Sequence, residues 1–120
     1  WPGPKGSAMT VGFELDGQSF IALNGGPQYE FNAAISLIVN CATQDEVDHY
    51  WERLTADGGS PVQCGWLTDK FGVSWQIVPG VLIELVQDKD PQKSQRVMQA
   101  LLQMTKLDIA KLKAAYDAAA

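Results

Sequence analysis

The run ISLIVNCATQDE, residues 35 to 46, constrains this chain more than any other stretch. A nearly unbroken apolar and β-branched segment is followed within two residues by a helix start. Such a segment reads as a buried strand. Thr43-Gln-Asp-Glu46 has the spacing of a capping box, the Thr43 hydroxyl serving the backbone N–H near Glu46 while that carboxylate reaches back. A helix therefore begins at about residue 44. Val47, Tyr50, Trp51 and Leu54 recur at helical spacing as its buried stripe, and Asp57-Gly58-Gly59 ends it.

Downstream, CGWLTDKFGVSWQIVP reads as two short strands around a turn, because Asp69, Lys70 and Gly72 separate two runs rich in aromatic and β-branched residues. Along the second run Ser74, Gln76 and Val78 point to one face and Trp75 and Ile77 to the other, since side chains alternate in a strand. Residues 35 to 78, with strands around 62–67 and 73–78, thus make one β-α-β-β-β unit. Upstream, Asp16-Gly17 lies between β-rich runs and predicts a hairpin with strands at 8–15 and 18–24. A two-residue turn sets Leu15 opposite Gln18, Phe13 opposite Phe20, Val11 opposite Ala22 and Met9 opposite Asn24. Before it, WPGPKGS reads as an irregular loop.

After Pro79 the pattern turns helical. A short helix is expected from Val81 to Val86. Asp90-Pro91 is a cap followed by proline at the first helical position, with Val97, Met98, Leu101, Leu102 and Met104 as a broad apolar face. Asp108 caps a last helix in which Leu107 staples onto Leu112 and Tyr116 continues the stripe. The chain of 120 residues supports a single α+β domain, and no linker divides it.

Nine Lys and Arg against fourteen Asp and Glu leave a net charge of -5, which disfavours nucleic acid and anionic membrane surfaces as partners. No apolar run approaches the roughly 20 residues of a membrane helix, and no signal-peptide pattern opens the chain, so a soluble cytoplasmic protein is expected. Two cysteines, Cys41 and Cys64, do not make a disulfide framework and are expected to be free, packed thiols.

FELDGQSFIALNGGP, the ISLIVNC strand with its capped helix, and CGWLTDKFGVSWQIVP together resemble the PhnB-like branch of the vicinal oxygen chelate superfamily. This branch is related to glyoxalase I, and its members are often named 3-demethylubiquinone methyltransferase-like. The resemblance continues through VMQALLQMTKLDIAKLKAAYD and so spans nearly the whole chain. It implies a vicinal oxygen chelate fold of paired β-α-β-β-β modules with a C-terminal helical tail, in a single glyoxalase/bleomycin resistance-like domain. Residues 35–78 would be a complete second module, 8–24 the last hairpin of an incomplete first module, and 91–117 the tail. The missing part of the first module would be on the order of 30 residues. A homodimer is expected, because dimerisation is common in the superfamily this chain resembles, and a fragment would leave a sheet edge and apolar face open to pairing.

Metal-dependent members resemble one another in carrying His near the start of each module and Glu on each last strand. The corresponding positions here are Ala34 and Gln76 in the second module and Ala22 in the first, with Asn24 further along the same face. Alanine coordinates nothing and a neutral amide lacks the carboxylate charge, so neither a metal nor another cofactor is expected. His49 falls between Asp45 and Arg53 on a solvated helix face. The expected ligand-binding residues are Gln76, Asn24, Ser36, Ser74 and Trp66, with no catalytic residue assigned. A mostly apolar cavity with a few fixed amides is how small-molecule sites are built. Gln76 could equally form a hydrogen bond across the barrel, and for Trp66 and Trp75 core packing is favoured over a pocket wall. The leading expectation is a small-molecule-binding protein; the alternative is a metal-dependent lyase or dioxygenase-like enzyme completed by the missing segment. Methyl transfer finds no support, because no glycine-rich strand-to-helix turn is present for S-adenosylmethionine.

Overall fold

The computed structural model describes residues 3–118, which form two compact units divided between Glu30 and Phe31. In the first, β1 (Thr10–Leu15) and β2 (Gln18–Leu23) form an antiparallel hairpin. Its register is the expected one, with Leu15 opposite Gln18, Phe13 opposite Phe20 and Val11 opposite Ala22. Asp16 and Gly17 both have positive φ, 50° and 79°, as a tight hairpin of this twist requires. The Phe13 and Phe20 rings stack with centroids 5.5 Å apart. Of the expected loop at 1–7, Trp1 and Pro2 lie outside the described residues; Ser7 closes a turn by donating its N–H and hydroxyl to the Pro4 carbonyl.

The second unit runs β3 (Ser36–Cys41), α1 (Gln44–Thr55), β4 (Ser60–Pro61), β5 (Trp66–Thr68), β6 (Ser74–Pro79), α2 (Gly80–Val86), α3 (Pro91–Leu102) and α4 (Ile109–Asp117). Its mixed sheet has the strand order β3-β6-β5-β4, with β3 parallel to β6 and the other pairs antiparallel. The parallel pair exists because α1 supplies the crossover.

The capping box forms as expected. Thr43 Oγ1 accepts from the Glu46 N–H at 3.2 Å, and Glu46 Oε2 accepts from the Ala42 N–H at 2.8 Å. Alternation along β6 sends Trp75 and Ile77 beneath α1, where Cys41, Val47, Trp51, Leu67 and Ile77 form one core with Val39, Leu54 and Trp75 packed against it. Tyr50 departs from the expected stripe: it is 39% exposed beside His49, because the core contact of α1 is centred on Val47 and Trp51. A second core gathers Leu82, Val97, Leu107 and Leu112, with Val78 of β6 packed against it. Each fully buried leucine contributes about 1.5–3 kcal/mol. The broad face expected of α3 is narrower in fact. Val97 and Leu101 reach the core, whereas Met98 and Leu102 are 42% and 59% exposed.

The strand expected around 62–67 is also corrected. Only Trp66–Thr68 pairs with β6; Gln63–Gly65 is a 3-10 turn, so Cys64 is not a strand residue. Cys64 and Gly65 have φ of 62° and 83°, and their N–H groups donate to the carbonyls of Met104 and Thr105, both at 2.8 Å, instead of to a sheet neighbour. The last helices are thereby clasped to the sheet. Asp90 and Asp108 cap α3 and α4 as expected, accepting from the Gln92 and Lys111 N–H groups.

Candidate functional site

With α1 covering one side of the four-stranded sheet, the other side carries the residues expected to bind a ligand. Register decides which side chains meet there. Ser36 is opposite Ser74, which is opposite Thr68; one step along, Ile38 is opposite Gln76, which is opposite Trp66. Paired residues project from the same face, so these six share one surface. Gln76 Nε2 donates to Ser36 Oγ at 2.9 Å, a contact between parallel neighbours that lie 40 residues apart in sequence. Gln76, Ser36, Trp66 and Thr68 are half-buried, Ser74 is buried, and Ile38 is 56% exposed. The structure thus brings Gln76, Ser36, Ser74 and Trp66 together on one face. Asn24 belongs to the other unit, where its side-chain amide donates to the Ala8 carbonyl at 3.3 Å.

Trp75 takes the opposite side. Its indole N–H donates to Asp69 Oδ2 at 2.9 Å, while Asp69 Oδ1 accepts from the N–H groups of Phe71 and Val73 at 2.9 and 3.0 Å. Asp69 therefore fixes the β5–β6 turn and is turned toward the α1 layer. Sequence reading registered Asp69 only as turn punctuation; the signal available was its position six residues before a tryptophan at the start of a strand.

The remaining chemistry-bearing groups are committed elsewhere. Cys41 is buried, and burial first, then the nearby Glu46 carboxylate, raises its thiol pKa, so the reactive thiolate is disfavoured. Cys64 is likewise a free thiol. His49 is exposed on α1. Gln44 bridges two helices, its amide N donating to the Asp48 carboxylate at 2.9 Å and to the Leu107 carbonyl at 3.0 Å while its amide oxygen accepts from the Ile109 N–H at 2.8 Å. The hydrogen bond from the Gln44 amide nitrogen, then Lys106 at 2.9 Å, holds the Asp48 carboxyl below its usual pKa. Beside Gln44 an open surface depression of about 440 Å³ is lined by Thr43, Asp108, Ile109 and Lys113 among others.

Among the described residues no three His, Cys, Asp or Glu side chains cluster as a metal site would require. The donor set at Gln76 is one neutral amide oxygen, because the amide nitrogen is already donating to Ser36. Ala34 and Ala22 have no ligating atom. These residues do not fit a divalent cation.

Comparison with known proteins agrees with the resemblance read from the residues. The family model for 3-demethylubiquinone-9 3-methyltransferase matches residues 1–78. Among solved structures, a PhnB protein from Bacillus cereus, named after the same methyltransferase, is 32% identical with a TM-score of 0.60, over 67% of this chain and 70% of that one. No curated protein matches the chain. The shared mixed α+β architecture and the matched sequence place the chain in the PhnB-like, 3-demethylubiquinone-9 3-methyltransferase-like family.

Proposed function

We propose that this chain is a small-molecule-binding protein of the vicinal oxygen chelate type that works without a catalytic metal. The observation that carries the reading is Gln76: on the sheet face that α1 leaves open, it is a neutral amide held by Ser36 and flanked across the strands by Ile38 and Trp66. Apolar walls around a few fixed polar atoms are the usual make-up of a ligand site. In the proposed fold, β3 to β6 with α1 are the complete second β-α-β-β-β module, and β1 and β2 are the last hairpin of the incomplete first one, within one glyoxalase/bleomycin resistance-like domain. Asn24, at the end of that hairpin, is a further proposed ligand contact.

The activity in the family name is not part of this proposal. The turn into α1 is Ala42-Thr43, with no glycine, and its Ala42 and Glu46 N–H groups are occupied by Glu46 and Thr43. The turn into α2 has a single glycine, Gly80. Neither offers the glycine-rich strand-to-helix cradle of a dinucleotide-type site.

A thermal-shift screen of small molecules, run with and without zinc, nickel, iron and manganese, tests the reading. Binding to the native state raises the melting temperature by mass action, about 2.7 kcal/mol of stabilisation at a hundredfold excess over Kd. The expected outcome is a shift produced by an organic compound and unchanged by metal. A stabilisation by metal alone, with stoichiometric metal in elemental analysis, would overturn it.

A further inference from the structure

Resting on the small-molecule reading above, we propose that the half-buried patch around Gln76, on the sheet face opposite α1, takes a neutral, planar ligand with a hydrogen-bonding edge like that of a carboxamide. Three observations converge on that chemistry. The first is charge. Ser36, Ile38, Ser74, Gln76, Trp66 and Thr68 supply no ionisable group. The acid closest along the chain, Asp69, is spent on the Phe71, Val73 and Trp75 N–H groups and directed to the α1 layer. An ionic ligand seated on these residues would give up hydration without gaining a countercharge.

The second is the polarity left over at the centre. Gln76 Nε2 donates one hydrogen to Ser36 Oγ, which leaves Gln76 Oε1 as an acceptor and the second Nε2 hydrogen and the Ser36 hydroxyl hydrogen as donors. A ligand that both donates and accepts along one edge satisfies acceptor and donor together. The third is shape. Ile38, Gln76 and Trp66 form one row across three adjacent strands, so the aliphatic and indole side chains stand about 10 Å apart on either side of the amide. That width seats one flat ring, with the indole available for stacking.

Four probes of nearly equal size separate these features: benzamide, benzoate, benzamidine and cyclohexanecarboxamide. Their titration is followed in ¹H–¹⁵N correlation spectra by the Trp66 indole and Gln76 side-chain resonances, assigned with Trp66→Phe and Gln76→Leu. Benzamide is expected to move both resonances saturably, half-saturating at a concentration at least tenfold below benzoate and benzamidine and at least threefold below cyclohexanecarboxamide. Gln76→Leu should raise the benzamide half-saturation at least fivefold while the rest of the spectrum is retained. Ser36→Ala, which removes the donor but little volume, should raise it at least twofold. Benzoate or benzamidine binding as well as benzamide would overturn the neutral-ligand inference, and cyclohexanecarboxamide doing so would overturn planarity, while the small-molecule reading survived. If none of the four moves either resonance, the carboxamide inference falls, and the thermal-shift screen decides the small-molecule reading separately.

Discussion

Asp69 uses both carboxylate oxygens, one on the Phe71 and Val73 N–H groups and the other on the Trp75 indole. Hydrogen bonds to a charged acceptor contribute about 1.5–3 kcal/mol each when sheltered, and Asp69 is half-buried. Asp69→Ala should therefore cost about 2–4 kcal/mol in urea unfolding. Asp69→Asn should recover part of that, since its oxygen can serve the two backbone N–H groups but its NH₂ would face the indole donor. Equal losses for the two variants would mean that the bonds to the Phe71 and Val73 N–H groups contribute nothing. What was legible here was local. The turn and the outward direction of Gln76 follow from residue types and alternation. The Gln76–Ser36 bond does not, because it depends on β3 lying parallel beside β6, a pairing set by the crossover through α1 and not by any neighbour in sequence.

Elements that repeat a period or carry a cap were read closely from sequence: the 10–23 hairpin with its register, α1 with its box, and the capped α3 and α4. The turn at Gln63–Gly65 was not, because its hydrogen-bond partners lie some 40 residues downstream. Gly65 is the position where the local rule is strictest. At φ 83° a side chain is disfavoured, and a Cβ there would stand 2.9 Å from Leu107 Cγ and 3.2 Å from the Ile77 carbonyl. Gly65→Ala should cost about 2–4 kcal/mol through backbone strain and overpacking, read as a lowered urea midpoint with an unchanged m-value. The close of α4 gives a pH-dependent test. Tyr116 donates its hydroxyl to Asp88 at 2.6 Å while Lys93 lies 4.8 Å from the ring centre. That bond lowers the Asp88 pKa and raises the Tyr116 pKa. Asp88 therefore adds stability above the normal carboxylate pKa of about 3.9, lost as pH falls through its depressed value. Tyr116 adds stability below the normal phenol pKa of about 10, lost as pH rises through its elevated value. Tyr116→Phe should lower the melting temperature at pH 7 and flatten its fall at both the acid and the alkaline end; a parallel offset at every pH would count against the pair.

At the scale of the molecule, the described residues of the first unit are almost all exposed, with Ile21 and Leu23 at 76% and 68%, and a two-stranded hairpin by itself is marginal in water. Together with the homodimer proposed from sequence, this leads us to expect a dimer mass in light scattering at micromolar concentration; a monomer mass would overturn it. No helix among the described residues is long and apolar enough to cross a membrane. The second unit is tied differently. Gln44 reaches Leu107 and Ile109, and Cys64 and Gly65 reach Met104 and Thr105, so the first helix and the inter-strand turn each end on backbone atoms of the last segment. Such bonds couple the sheet and α1 to the last segment. A polypeptide ended at Pro79 would keep every strand, yet orphan two N–H donors, the Gln44 amide and the apolar surface of Val78. Residues 1–78, the part that carries the family signature, are on this account not an autonomous folding unit.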